Sequence, residues 1–323
     1  MTYAKGSNIA ATDYNAFAGV TGTAAASSVA AQNKAGYLYG IGFGDRGYGQ
    51  SSPTLITKNV GDAVGQEWQD LRSVVASLAS WTNTPITLLP PTTSLNNGVA
   101  VTAHEQDAPS SNAYDFQNLI ASLDANRFNY QIGNMTLTNS AASTTRSTTW
   151  GGGTGGITAE FSVTFASEDA ARYFFNTGGE IRLALAHPST LTSRDTSWNT
   201  ILSNLVLAFR ANAASKITGA YGTAQAIGYY QLTTAYQTIL NGTNSSIGAY
   251  TVNDFTISAR AVSITGLNGA KGSVVYFRVQ LVDEQTNAFS DIVQSGTIAT
   301  LSHLRATSTY SLPSPTSSIV TSF

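Results

Sequence analysis

The chain has 323 residues and a net charge of −2, with 42% apolar but only 11% charged residues, where an average soluble domain carries roughly 25% charged residues. That apolar share excludes a disordered polypeptide. The 16 Lys and Arg residues form no basic run of the kind nucleic acid requires, and no apolar stretch approaches the ~20 residues of a membrane span.

The absence of cysteine excludes disulfides and Cys-ligated zinc. The N-terminus lacks the charged-then-apolar pattern of a secretion signal, so none is expected. Charge has been replaced by Ser, Thr, Asn, Gln and Gly. A surface of hydroxyls and amides costs little to desolvate and can hydrogen-bond to a copy of itself, which points to self-association. A secreted monomer with a neutral polar surface is the alternative.

In chain order, the first third reads as helices joined by loops. A short helix carrying Tyr14 and Phe17 is capped by Thr12 or Asp13. The segment from Gly36 to Gln50 alternates Tyr37, Tyr39, Phe43 and Tyr48 with glycines and reads as a loop whose aromatics dock onto something. Val64, Trp68, Leu71, Val75 and Leu78 recur at helical spacing, with Asp62 as a cap. Pro85, Pro90 and Pro91 break the pattern. A second helix is expected from Tyr114 to Phe128, with Phe116, Leu119, Ile120 and Leu123 inward. Gly6 to Phe17 and Gly61 to Leu71 share a Gly turn, a β-branched anchor and an aromatic–amide–apolar helix, a weak internal repeat.

From about Tyr130 the period changes to two. Ala159, Phe161, Val163 and Phe165 alternate with polar residues, the pattern of a half-buried strand. A short helix from Glu168 to Phe175 precedes a strand bearing Ile181, Leu183 and Leu185. A longer helix is expected from Ser197 to Arg210. Phe255 to Ala259 and Val275 to Leu281 are strands, and Ile298 to Leu304 is a weaker, final one. The Ser/Thr/Pro-rich tail should be extended and is a candidate for pairing with a neighbouring subunit. The expected fold is α+β: a helical, loop-rich region over 1–129, a mainly antiparallel sandwich-like domain with inserted helices over 130–310, and an extended tail over 311–323.

Chemistry-bearing motifs are few. His104, His187 and His303 are scattered. His104-Glu105-Gln-Asp107 reads as a solvated turn before Pro109, and hard cations need more converging oxygens than it offers. Asp283-Glu284 reads as a strand end, although paired carboxylates also serve glycoside hydrolysis. No Gly-x-Ser-x-Gly elbow is present. Trp150-Gly-Gly-Gly-Thr-Gly-Gly156 lacks the Lys-Ser/Thr ending of a phosphate loop and reads as a flexible hairpin loop or a loop packing closely against a neighbour. No catalytic, cofactor or metal residue is assigned.

Two segments remain as candidates. Tyr37, Tyr39, Phe43, Arg46 and Tyr48 form a candidate interface, since Tyr gives large contact area at low entropy cost; alternatively they cover the helical layer of their own subunit. Tyr221, Tyr229, Tyr230 and Tyr236 carry the same pair of readings. Arg172, Tyr173, Phe174, Phe175, Gly178, Gly179 and Glu180 form a helix-to-strand corner, with aromatics for burial and glycines for the reversal. Arg172 and Glu180 are placed to pair, and a binding role for Arg172 or Arg182 is the less favoured reading.

Three strings carry a resemblance: Asp13-Tyr-Asn-Ala-Phe17, Gly42-Phe-Gly-Asp-Arg-Gly-Tyr-Gly-Gln50, and Phe161 to Arg182, above all Arg172-Tyr-Phe-Phe-Asn-Thr-Gly-Gly-Glu-Ile-Arg182. With the Gly61 to Leu71 segment they resemble virion structural proteins of tailed bacteriophages, notably those infecting marine bacteria and cyanobacteria. Here the last string continues Ala184-Leu-Ala-His-Pro188, where such proteins often have a Ser/Arg-rich turn. The resemblance implies a non-enzymatic virion component of the tail, baseplate, collar or neck, or fibre. It would work as a homo-oligomer, a trimer or ring, bound to other virion proteins and without cofactor, nucleic acid or membrane. The alternatives are a receptor-binding adhesin that grips host surface glycan and a glycan depolymerase.

Overall fold

A computed structural model of the chain describes residues 15, 18, 35–50, 65–85, 116–152, 155–243, 250, 252–283, 292–307, 310 and 312–323. Most of the expected helix around Tyr14, the cap at Asp62, the His104 to Asp107 turn, most of the first repeat half and Gly61 to Val64 of the second lie outside these residues. The chain forms an α+β fold with helices in its N-terminal part and antiparallel sheet beyond. It divides into two compact units. One comprises Met1–Met135, Arg172–Thr177 and Ala306–Ser311; the other Thr136–Ala171, Gly178–Arg305 and Leu312–Phe323.

In the first unit, α1 (Ala35–Tyr39), α2 (Gly65–Trp81) and α3 (Phe116–Ala125) surround one core. The helical spacing of α2 puts Leu71, Val75, Leu78 and Trp81 inside. Its end is set by chemistry the periodicity does not report. Asn83 takes a left-handed conformation (φ +50°), and the Thr84 N–H closes back on the Ala79 carbonyl at 2.9 Å. That bond pattern satisfies a terminal carbonyl that helix geometry leaves orphaned. α3 contributes Leu119, Ile120 and Leu123 and stops at Ala125, short of the expected Phe128. Ala306 and Tyr310, from far along the sequence, complete this core.

The second unit is built on two sheets. The strands are β1 (Met135–Thr145), β2 (Gly155–Thr164), β3 (Glu180–Ala186), β4 (Leu205–Phe209), β5 (Ala214–Thr218), β6 (Thr223–Ala224), β7 (Gln237–Thr243), β8 (Asp254–Val262), β9 (Val274–Asp283), β10 (Ile298–Ala306) and β11 (Thr316–Thr321). One sheet has the order β1-β10-β3-β4-β5 and the other β11-β2-β9-β8-β7-β6. Strand β9 alternates half-buried and buried residues along its whole length, the direct consequence of period-two patterning. It pairs with β2 in a register that sets Phe161 opposite Phe277. Phe209 of the first sheet meets Phe277 of the second edge-on, ring centroids 5.3 Å apart. Two helices fall between strands in sequence: α4 (Glu168–Asn176), whose residues from Arg172 on belong to the first unit, and α5 (Ser193–Leu202).

Three expectations are corrected. The helix expected over Ser197 to Arg210 is instead α5 followed by strand β4. Thr192 caps α5 in a reciprocal box with Asp195, and Asn204 at φ +51° turns the chain out of the helix. Leu205, Leu207 and Phe209 are then buried on one face of β4, with Ala208 also buried opposite; so apolar a run fits either period. Strand β10 is not the final strand, since β11 follows it, and it lies inside its sheet, between β1 and β3. The segment from Gly36 to Gln50, expected to be a loop throughout, begins inside helix α1. The tail is extended as expected, and its strand β11 pairs antiparallel with β2 of its own chain.

Candidate functional site

The two strings singled out in the sequence meet. Gly40 to Gln50 folds into a closed loop: the Gly49 N–H donates to the Gly40 carbonyl at 2.9 Å and the Gln50 N–H to the Tyr39 carbonyl at 3.0 Å. Glycine is required at Gly49, which has φ +70° and sits so close under the Tyr173 ring that a Cβ would lie 2.3 Å from it. Arg172 and Asn176, one turn apart on α4, grip this loop by its carbonyls. Arg172 donates to Gly44 at 3.2 Å, Ile41 at 3.0 Å and Arg46 at 2.8 Å. Asn176 donates to Gly44 at 3.1 Å and Gly47 at 3.0 Å. A planar guanidinium with several fixed donors suits three converging carbonyls in a way an ammonium does not.

The other side of the loop is held by charge. Arg46 forks onto both carboxylate oxygens of Asp124 at 2.7 and 3.0 Å and reaches Asp45 at 3.0 Å. Arg127 binds Asp45 at 2.8 Å. Two arginines and two aspartates thus compensate each other, and a bidentate fork inside a network is the geometry in which half-exposed ion pairs contribute most. The Asp124 carboxylate raises the Arg46 guanidinium against the opposing effect of burial.

The candidate interface residues separate on this geometry. Tyr37 and Tyr48 are each 2% exposed. The Tyr48 hydroxyl donates to the Arg127 carbonyl at 2.9 Å, and burial pushes its phenol well up. Tyr48 belongs to the helical core of its own chain, and Tyr37 is likewise buried within the chain. Tyr39, Phe43 and Arg46 are half-buried, whereas Ile41, which sequence reasoning passed over, is 44% exposed. Within the corner, Phe174 and Phe175 are buried edge-to-face at 5.0 Å. Gly178 takes φ +91°, and Gly179 is buried. Glu180 pairs with Arg182 at 2.8 Å and Arg210 at 2.6 Å, not with Arg172 as expected. Of the other tyrosines, Tyr229 is a core residue whose hydroxyl donates to Gly272 at 2.8 Å, while Tyr221, Tyr230 and Tyr236 are half-buried.

The second unit holds a buried polar chain that no local motif announces. The Trp150 indole donates to Thr297 Oγ1 at 3.1 Å, Thr297 Oγ1 lies 2.9 Å from His187 Nδ1, and His187 Nε2 lies 3.0 Å from Asp195 Oδ1. An indole only donates and an ionised carboxylate only accepts, so the Thr297 hydroxyl accepts from Trp150 and His187 Nε2 donates to Asp195. Burial opposes ionisation of Asp195. Hydrogen bonds from the Gln294 N–H, His187, Ser189 and the Thr192 N–H outweigh it and hold the carboxyl below its usual range. A hydroxyl–imidazole–carboxylate order resembles a nucleophilic triad, but Thr297 and Asp195 are 0% and His187 1% exposed. Every donor is committed, and the group acts as a relay tying α5 to the segment ahead of β10.

Asp283 anchors a second buried group. It accepts from Arg194 Nη1 at 2.5 Å and the Gly152 N–H at 2.9 Å. With the Asn253 amide nitrogen turned toward it, Asn253 donates at 2.9 Å and accepts from the Trp198 indole at 3.3 Å. The glycine string finds its reason here: Gly151 has φ +75°, and a Cβ would fall 2.1 Å from Asp283 Oδ2. Gly151 and Gly152 pack closely over a buried carboxylate. Among the described residues no three His, Asp or Glu side chains converge as a metal site, and no helix is long and apolar enough to cross a membrane. No protein-family model, curated protein or solved structure matches the chain.

Proposed function

We propose that the chain is a non-enzymatic structural subunit of a tailed-phage particle, assembling with copies of itself, and that its two sheets pack as a β-sandwich. The sandwich is supported by the buried alternate residues of β9 and the Phe209–Phe277 contact. The particle assignment rests on the resemblance of the Gly42 to Gln50 and Arg172 to Arg182 strings; Arg172 and Asn176 of the second clamp the first.

Assembly is supported by one observation above all. Strands β1 and β11 lie at the outer edges of their sheets and contain no charged residue, yet expose Leu137 (36%), Ile319 (41%) and Val320 (49%). An edge strand offers unpaired backbone donors and acceptors, and proteins that remain single guard such edges with charge or proline. Here the only guard within β11 is the register irregularity between Ile319 and Thr321. In an assembling subunit these edges receive another copy.

Light scattering across a concentration series tests this reading. The expected result is a stable trimer or larger ring, shifted toward monomer by Leu137→Lys or Val320→Lys without loss of the circular dichroism spectrum. A wild-type chain that stays monomeric at every concentration sinks self-assembly.

A further inference from the structure

The outward face of the six-stranded sheet carries a ladder of side chains that neither the clamped loop nor the strand edges use. Arg260 on β8 stands opposite Tyr276 on β9, and its guanidinium lies 4.7 Å from that ring's centroid. The same guanidinium lies 4.8 Å from the ring of Tyr236, which in turn receives Arg278 at 3.8 Å. Arg278 binds Glu160 on β2 at 3.1 Å. In sequence along the face the order is Tyr276, Arg260, Tyr236, Arg278, Glu160.

Two properties of the ladder point to a ligand. The first is charge. Glu160 compensates Arg278, while Arg260 has no carboxylate at ion-pair distance among the described residues and its Nε lacks a hydrogen-bond partner. At this end of the face Arg260 is therefore a positive charge without an ion-pair partner among the described residues, its position fixed by two rings, while Asp254 puts a carboxylate at the far end of the same row on β8; a stacked guanidinium keeps its edge donors directed at an anion. The second is the surrounding chemistry. The register continues the face with Thr158, Gln280 and Thr256 abreast on neighbouring strands, all half-buried. Hydroxyls and amides both donate and accept, as sugar hydroxyls do, and tyrosine rings take the C–H face of a pyranose.

We propose that this face is a binding platform for a carboxylate-bearing polysaccharide, with Arg260 receiving the uronate carboxylate, Tyr276 supporting the ring and Gln280 reading a hydroxyl. A nucleic acid fits poorly, since its affinity comes from neutralising many phosphates and this face offers one unmatched positive charge. The inference does not depend on self-assembly.

The test is affinity electrophoresis of the full chain in gels containing polygalacturonate or alginate, with dextran as the neutral polymer. Retardation is expected in at least one acidic polymer and not in dextran. It should weaken about tenfold or more for Arg260→Gln, the scale of one lost charge-assisted contact. No retardation in either acidic polymer overturns the proposal, as does equal retardation in dextran or unchanged affinity in a folded Arg260→Gln chain. Should Arg260→Gln fail to fold, Gln280→Ala replaces it: weaker retardation upholds the platform, and unchanged retardation overturns it.

Discussion

The ring of Tyr310 meets the indole of Trp81 edge-on, centroids 4.8 Å apart. Tyr48 at 5.2 Å and Tyr39 at 5.8 Å close around the same ring, and Ser77 holds its hydroxyl at 3.2 Å. Edge-to-face aromatics add to burial, so Tyr310 is the ring that the Ala306–Ser311 segment contributes to the helical core. Replacing it with Ala should cost about 3–5 kcal/mol, as for other buried aromatics. Tyr310→Phe, which loses only the bond to Ser77, should cost about 1 kcal/mol. Urea unfolding followed by tryptophan fluorescence separates the two; equal losses would place the energy in the hydroxyl and not the ring.

Arg172 serves three carbonyls at once, which makes its chemistry as important as its charge. Arg172→Lys keeps the charge but presents one compact ammonium where a fork is needed. About 3 kcal/mol or more should be lost if two charge-assisted bonds go unmade. The local signature is faster amide exchange at Gly49 and Gln50, whose N–H groups close the loop. Unchanged protection in the Lys variant would mean that the ion network with Asp124 holds the loop alone.

Much of this was legible in the sequence, and the parts that were not share a cause. The periodicity of Leu71 to Leu78 and of Val275 to Leu281 reports which side of an element is buried, and those elements form as expected. Periodicity cannot report how an element ends. Asn204 and Asn83 decide that through left-handed backbone conformations, which is why periodicity alone runs α5 and β4 together as one helix. Nor can it report long-range pairing. Nothing local in Thr316 to Thr321 states that β2 is its partner, or in Arg172 that three carbonyls of a loop in the first fifty residues await it. The strings Gly42 to Gln50 and Arg172 to Arg182 were both recognisable as unusual; their contact was not. The buried chain through Trp150, Thr297, His187 and Asp195 gave no signal, because its members are dispersed and each has an ordinary reading alone.

Burial of Tyr48 and exposure of Ile41 change which substitution probes assembly. Tyr48→Ala opens the first unit's core and should lower stability by about 3 kcal/mol or more, so lost assembly in that variant would report unfolding. Ile41→Asp changes an exposed side chain and should leave stability within about 0.5 kcal/mol. If the clamped loop is a contact surface, Ile41→Asp lowers the mass seen by light scattering while the melting temperature stays put. Full assembly with Ile41→Asp would move the contact away from this loop.

His303 gives the fold a directional response to acid. It lies among buried residues of β10 opposite Ile181, 3% exposed, and neither ring nitrogen has a hydrogen-bond partner among the described residues. Burial, and then the nearby positive charge of Arg305, hold its imidazole below the usual range. Below about pH 6.5 the unfolded chain takes up a proton that the folded chain refuses. The unfolded state then binds more protons, and stability falls as pH falls until the lower folded pKa is passed. Asp195 and Glu168, both held below the carboxylate range against the opposing effect of burial by the hydrogen bonds they accept, add their loss only near about pH 4 and below. The two windows are therefore separable. His303→Leu should flatten stability between about pH 6.5 and 5 and leave the acid limb near pH 4 in place. It should cost little at pH 7.5, because an apolar side chain replaces an unpartnered polar one in an apolar site. Chemical denaturation midpoints across this range check it, and a slope below pH 6.5 that survives His303→Leu would assign the effect to another group.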